Sequence, residues 1–317
     1  MNEQAVETWG DKRYHSLNYY LKNTYGEKVY RLSLNAGMTC PNRDGTLGSN
    51  GCIFCSAGGS GDFAASPALS ISAQLADAKA RIRNKTNAHK YIAYFQAYTN
   101  TYAPTDYLKE VYLQAIRDPE VIALSIATRP DCLSDEILAL LAQMTTYKPI
   151  WIELGLQTIY DASRDFVGSG FDYTSFLSAV QNLNRLHIPV ITHLILGLPG
   201  ESKEMMLESV RAIANLPVWG VKLQLLHVLK DTALASYYEA NPFPIFSMEE
   251  YCELIIDCME LLPADVVLHR ITGDGPRQLL LAPLWSTDKK KVLNRIQLRL
   301  QERNTWQGKY YTPSMSQ

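Results

Sequence analysis

Apolar positions along the chain switch between two periods. From Ser70 to Asn87, Ile71, Leu75, Ala78 and Ile82 recur at the spacing of a helix face. His89 to Ala97 (HKYIAYFQA) follows, rich in aromatic and β-branched residues, and reads as a strand. The two signatures then alternate. A helix is predicted over Asp106 to Arg117 with Asp106 as N-cap, and a strand over Val121 to Thr128, closed by Arg129-Pro130-Asp131. Ser134 opens the next helix, with Asp135 and Glu136 in the first turn, where the helix dipole favours acids. Strands at Pro149 to Gln157, Pro189 to Leu196 and Val221 to Val228 are separated by helices near Asp172 to Leu186 and at Ser202 to Asn215. With Val29 to Ala36 (VYRLSLNA) in front, this makes six strands. Strands alternating with helices imply right-handed βαβ units around a parallel sheet. Periodicity does not separate an open sheet from a partial barrel. A helix at Ser247 to Leu262 and a strand-like run at Val266 to Ile271 come last. The expected organisation is an N-terminal arm over 1–28, an α/β body over 29–264 and a small extension with a basic helix over 265–317.

The 317 residues are 47% hydrophobic and 20% charged, with a formal net charge of −2. A chain of this size can bury about 75% of the surface its unfolded form exposes, so one large core is feasible. No apolar run reaches the eighteen residues of a membrane span, and the N-terminus lacks the apolar core of a secretory signal. A cytoplasmic enzyme working in a reducing compartment is the expectation. Cys132, Cys252 and Cys258 lie among apolar neighbours and read as ordinary buried thiols.

The other three cysteines carry candidate chemistry. Cys40, Cys52 and Cys55 sit in a glycine-rich loop directly behind the first strand, with eleven residues between the first two and two between the last two. Soft thiolates this close suit zinc or an iron–sulfur cluster. A structural zinc site wants four protein ligands, and four thiolates usually hold a cluster. Three leave one iron open to bind a small molecule. The plainer readings are structural thiols or a zinc knuckle.

With Phe54 just before the last cysteine, this loop resembles that of the radical S-adenosylmethionine (SAM) enzymes. The wide gap between the first two cysteines resembles the branch containing the Elongator catalytic subunit and the bacterial YhcC/YtqA-type proteins. The segments YFQAYTNTYAP and HRITGDGP and the C-terminal Trp306-Gln307-Gly308 resemble the latter group. The resemblance implies a partial (βα)6 TIM-like barrel, a 4Fe–4S cluster and SAM. In that chemistry a reduced cluster donates an electron to the sulfonium, and the resulting 5′-deoxyadenosyl radical abstracts hydrogen from substrate.

The resemblance also implies roles. Cys40, Cys52 and Cys55 would ligate the cluster. Glu153 and Gln157, at the end of the fourth strand, would lie near the ribose and methionine parts of SAM, and the Gly197–Gly200 turn near its adenine. A GGE-type motif common in the superfamily is replaced by FQAYTNTY, so Gln96 is a candidate for the cofactor's amino group. Arg129 and Lys230 are the candidate catalytic side chains, Arg129 because a guanidinium fork matches a carboxylate. His193 and His227 read as core histidines rather than metal ligands.

Substrate is less legible. Residues 289–309 carry seven basic side chains against Glu302, and the N-terminal arm mixes basic residues with tyrosines. Such a mixture suits unpaired RNA, and equally a solvated amphipathic helix and a packing arm. The family resemblance implies tRNA: conversion of a 5-carboxymethylaminomethyl wobble uridine toward the 5-aminomethyl form, its carboxylate held by Arg129 or Arg270. An electron donor such as flavodoxin or ferredoxin would be a further partner. The rivals are a radical enzyme for a small molecule or peptide, and a non-catalytic metal-stabilised RNA-binding module.

Overall fold

A computed structural model describes residues 5–59, 61–84, 86–273 and 275–313. The nine strands of these residues are β1 (Tyr30–Leu34), β2 (Tyr91–Phe95), β3 (Val121–Thr128), β4 (Ile150–Gln157), β5 (Val190–Leu196), β6 (Gly220–Leu225), β7 (Val228–Leu229), β8 (Val267–Arg270) and β9 (Leu280–Ala282). The helices are α1 (Leu17–Tyr25), α2 (Ile71–Arg83), α3 (Thr105–Ile116), α4 (Asp135–Thr145), α5 (Asp161–Val167), α6 (Tyr173–Arg185), α7 (Lys203–Ala214), α8 (Ala233–Ala240), α9 (Met248–Leu261) and α10 (Lys289–Glu302).

Seven strands form one all-parallel sheet in the order β1-β2-β3-β4-β5-β6-β8, curled into a partial barrel. Helices pack its outer face, and their apolar stripes meet the outward residues of the strands in the main core. Local chemistry fixes where those helices begin. Ser134, Asp172 and Ser202 each accept a hydrogen bond from the backbone three residues on, and Ser247 forms a reciprocal capping box with Glu250. Asp106 differs from its expected role: α3 starts one residue earlier behind Pro104, and the acid lies in the first turn instead.

The sheet holds one strand more than the six expected. Val267–Arg270, read with the extension, pairs in parallel with β6. The predicted strand Val221 to Val228 ends early, and its last residue starts β7, which pairs with β9 in a separate ribbon. The N-terminal arm closes the barrel from below. Leu17 and Leu21 of α1 pack with Ile92, Ala123, Trp151, Ile191 and Val267, all near the starts of their strands. Ser16 bridges to Leu268 on the edge strand, and Gln307 ties His15 to the backbone of Pro263 and Val266. α10 buries Val292, Ile296 and Leu300 against the body, each contributing about 1.5–3 kcal/mol.

Candidate active site

Parallel strands send alternate side chains inward, so the barrel interior is layered. The lowest layer is the apolar one that α1 seals. Above it lies a layer of polar residues: Tyr94, Ser125, Glu153, His193 and Lys222. Higher still, toward the strand ends, a cavity of about 250 Å³ opens, and the cysteine loop lines its mouth.

Glu153 is the centre of the polar layer, 1% exposed. Ser125 Oγ donates to its Oε1 at 2.7 Å, and His193 Nε2 lies 2.8 Å from its Oε2. Lys222 Nζ donates to the same Oε2 and reaches Tyr94 OH at 3.1 Å. Arg31 Nη1 stands 3.7 Å from Oε1. An unpaired carboxylate this deep would be untenable, whereas one with these partners stays charged. Burial pushes Glu153 upward, but Lys222 and His193 outweigh it and hold the carboxyl well below its ordinary range. Burial lowers Lys222 to about 7 against the pull of Glu153. His193 falls to about 4, through burial first and the Lys222 charge second.

The cysteine loop is braced from within. Asn42 Nδ2 donates to Cys52 Sγ at 3.3 Å and to Gly168 O at 2.7 Å. Arg43 donates to the carbonyls of Cys55 and Ser56 and lies over the Tyr98 ring. A Cβ on Gly51, where φ is +76°, would stand 2.7 Å from Arg43 Nε, so glycine is required there. Cys40, Cys52 and Cys55 are free thiols, and all three face the cavity with Phe54. Burial, with Cys55 beside it, pushes the Cys52 thiol up to about 11, so loading a metal there must release protons. Among the described residues no three His, Cys, Asp or Glu side chains converge as a single ion would require. Three soft thiols spread along one wall fit a cluster that takes one on each of three irons.

Gln157 supplies a second sign of a ligand. Its backbone is left-handed, at φ +72°, and its Oε1 is buried without a hydrogen-bond partner in the cavity wall. Strain at φ > 0 and an orphaned acceptor each cost of order 1–3 kcal/mol, and an amino or hydroxyl donor in the cavity would relieve the second. A Cβ on Gly155 would reach 2.8 Å from Gln157 Nε2, so the glycine makes room for this side chain.

The structure brings together most of the residues singled out in the sequence. Cys40, Cys52, Cys55, Gln96, Arg129, Glu153 and Gln157 all line the cavity. Lys230, Gly197 and Gly200 do not line it. Lys230 is exposed beyond β7, its N–H bound to Leu279 O. Gly197, at φ +94°, is backed by the Phe246 ring, and the Gly200 position is open. Glu153 has both oxygens committed to protein donors rather than free for a ribose. Arg129 grips Asp131 through two hydrogen bonds of 2.9 and 2.7 Å, which hold its charge against burial. Missed in the sequence were Tyr94, Lys222, Gln224 and Arg270, which line the inner wall. The available signal was a charged or amide residue inside an apolar strand, as in VKLQL. Asp274 of the HRITGDGP motif lies outside the described residues.

The comparisons with known proteins agree with this geometry. Residues 44–213 match the Radical SAM superfamily and residues 218–302 the Radical_SAM C-terminal domain. The chain is 42% identical to YtqA of Bacillus subtilis over 95% of its own length and 94% of the relative's. It is 37% identical to YhcC of Escherichia coli K12, over 85% and 86%. Half of it is 30% identical to the tRNA uridine(34) acetyltransferase of Methanocaldococcus jannaschii, covering 30% of that protein. The archaeal Elp3 of Methanocaldococcus infernus superposes with a TM-score of 0.68 at 18% identity, over 88% of this chain and 64% of that one, a likeness of fold. The superfamily's cofactors are a 4Fe–4S cluster and SAM, and the free thiols and the Gln157 acceptor are groups that would hold them. On sequence and fold together, the chain belongs to the radical SAM superfamily, in the YhcC/YtqA family related to Elongator.

Proposed function

We propose that this radical SAM enzyme modifies the C5 side chain of the wobble uridine in tRNA, carrying a 5-carboxymethylaminomethyl group toward 5-aminomethyl. One observation carries the reading: the three thiols line the mouth of a cavity whose inner wall bears Lys222 and Arg270. An anionic side chain entering from the mouth would meet cations at its far end. The partial likeness to a protein described as a tRNA uridine(34) acetyltransferase supports the same nucleotide. When bound, the cluster and SAM supply the hydrogen-abstracting radical, and a reductant of the flavodoxin or ferredoxin class supplies the electron. The protein's share is positional: Asn42 and Arg43 set the thiols, Gln157 presents an acceptor, and the barrel wall orients the substrate. The cellular setting that goes with tRNA is the cytoplasm.

A second reading, a small anionic molecule as substrate, is favoured by one observation. The arginines of the basic helix are spent on the protein itself. Arg295 pairs with Glu249, Arg299 with Glu253, and Arg303 with Asp257 and Glu260. Comparing tRNA nucleosides from a strain lacking the gene with its parent separates the two. Accumulated 5-carboxymethylaminomethyl uridine supports the tRNA reading, and an unchanged profile rejects it.

A further inference from the structure

The polar layer is unevenly charged. Glu153 is one carboxylate facing two cations, Lys222 in direct contact and Arg31 at 3.7 Å. Arg31 Nη1 is buried and makes no hydrogen bond at all. Arg270 adds its field to the same groups, acting on Tyr94, Lys222 and His193. It sits across from Lys222 in the β6–β8 register and donates to Gln224 Oε1 at 3.4 Å. Excess positive charge in a desolvated interior is costly, and an incoming anion relieves it. Arg129, the other guanidinium of the cavity, is already matched by Asp131. The surplus therefore lies on the inner wall and not at the mouth.

We infer that the wall formed by Arg270, Gln224 and Lys222 is a carboxylate-binding subsite that fixes substrate orientation. Arg270 and Gln224, both half-buried, make the direct contacts, and Lys222 supplies charge from behind. A carboxylate anchored there points its adjoining methylene back toward the cysteine-lined mouth. The inference rests on the wobble-uridine reading for the identity of the substrate. A carboxylate could also come from the amino-acid end of SAM, and the test separates the two sources.

Anaerobic, cluster-loaded protein would be titrated with anticodon stem-loop RNAs whose wobble uridine is unmodified, 5-aminomethyl or 5-carboxymethylaminomethyl, followed by fluorescence anisotropy. SAM binding would be measured in parallel. The unaltered protein is expected to prefer the carboxylated RNA, and Arg270→Gln to lose that preference by about tenfold or more while SAM affinity holds. Lys222→Met paired with Glu153→Gln, which removes both buried charges together, should lose it too and guards against a folding artefact at either site. Preference retained in both variants overturns the subsite and leaves the uridine reading standing. Loss of SAM affinity in Arg270→Gln assigns the subsite to the cofactor and overturns the substrate assignment. Equal binding of all three RNAs by the unaltered protein overturns the uridine reading as well.

Discussion

Glu153 shows how a charged residue inside an apolar strand is kept. Four side chains from four strands meet its carboxylate, and each has its own cost of burial offset by the others. Removing one member leaves the rest uncompensated. Glu153→Gln is expected to lower unfolding stability by about 3–5 kcal/mol, because it strands Lys222 in the interior. The Glu153→Gln, Lys222→Met pair should lose clearly less, as chemical denaturation would show. His193 gives the pH dependence. Its folded pKa is about 4, below its ordinary 6.5. Between those values the unfolded chain binds a proton that the folded one refuses, so stability rises with pH and falls as acid is added. The slope from this group is at most about 1.4 kcal/mol per pH unit. Between pH 6.5 and 5, His193→Gln should flatten the stability profile measured by denaturant titration. A profile that stays parallel to the unaltered protein's would contradict the placement of a neutral imidazole beside Glu153 and Lys222.

At the scale of elements, local pattern and long-range pairing were unequally legible. Helix starts followed from serine and aspartate caps, whose hydrogen bonds span only three residues. The run at Val266 to Ile271 was recognisable as a strand, but its partner was not, since β6 lies more than forty residues upstream and pairing leaves no local mark. The same limit hid Lys222. Its place inside the barrel follows from the alternation of β6, whereas Lys230 lay nearer the expected strand end and was set outside by the early stop and the β7–β9 ribbon. The basic helix illustrates the converse. Its sequence displays arginines, and its packing on α9 supplies the acids that take them. Replacing Arg295, Arg299 and Arg303 with glutamine should lower the melting temperature and leave the salt dependence of RNA binding unchanged. A slope of log affinity against log salt reduced by about three would instead put this helix on the phosphate backbone.

For the whole molecule, the barrel separates two ends with different tasks. α1 and a tryptophan pair, Trp151 and Trp219 with ring centroids 4.8 Å apart, close the lower end and contribute packing. The upper end carries the thiols, the strained Gln157 and the cavity. This division puts the tyrosine-rich arm away from the chemistry: Tyr14 is buried, and Tyr20 packs edge-on against Trp219. The cysteine loop announced itself in the sequence because its ligands are close in the chain. The layered interior did not, because its members come from six strands.

The central claim is that a radical generated at the cysteine loop acts on a wobble-uridine side chain held in the barrel. The direct measurement is anaerobic incubation of cluster-loaded protein with SAM, a reductant and tRNA from the gene-lacking strain, followed by mass spectrometry of products. The account predicts 5′-deoxyadenosine together with conversion of 5-carboxymethylaminomethyl to 5-aminomethyl uridine, both abolished by Cys52→Ala. SAM cleavage that leaves the wobble nucleoside unchanged would contradict it.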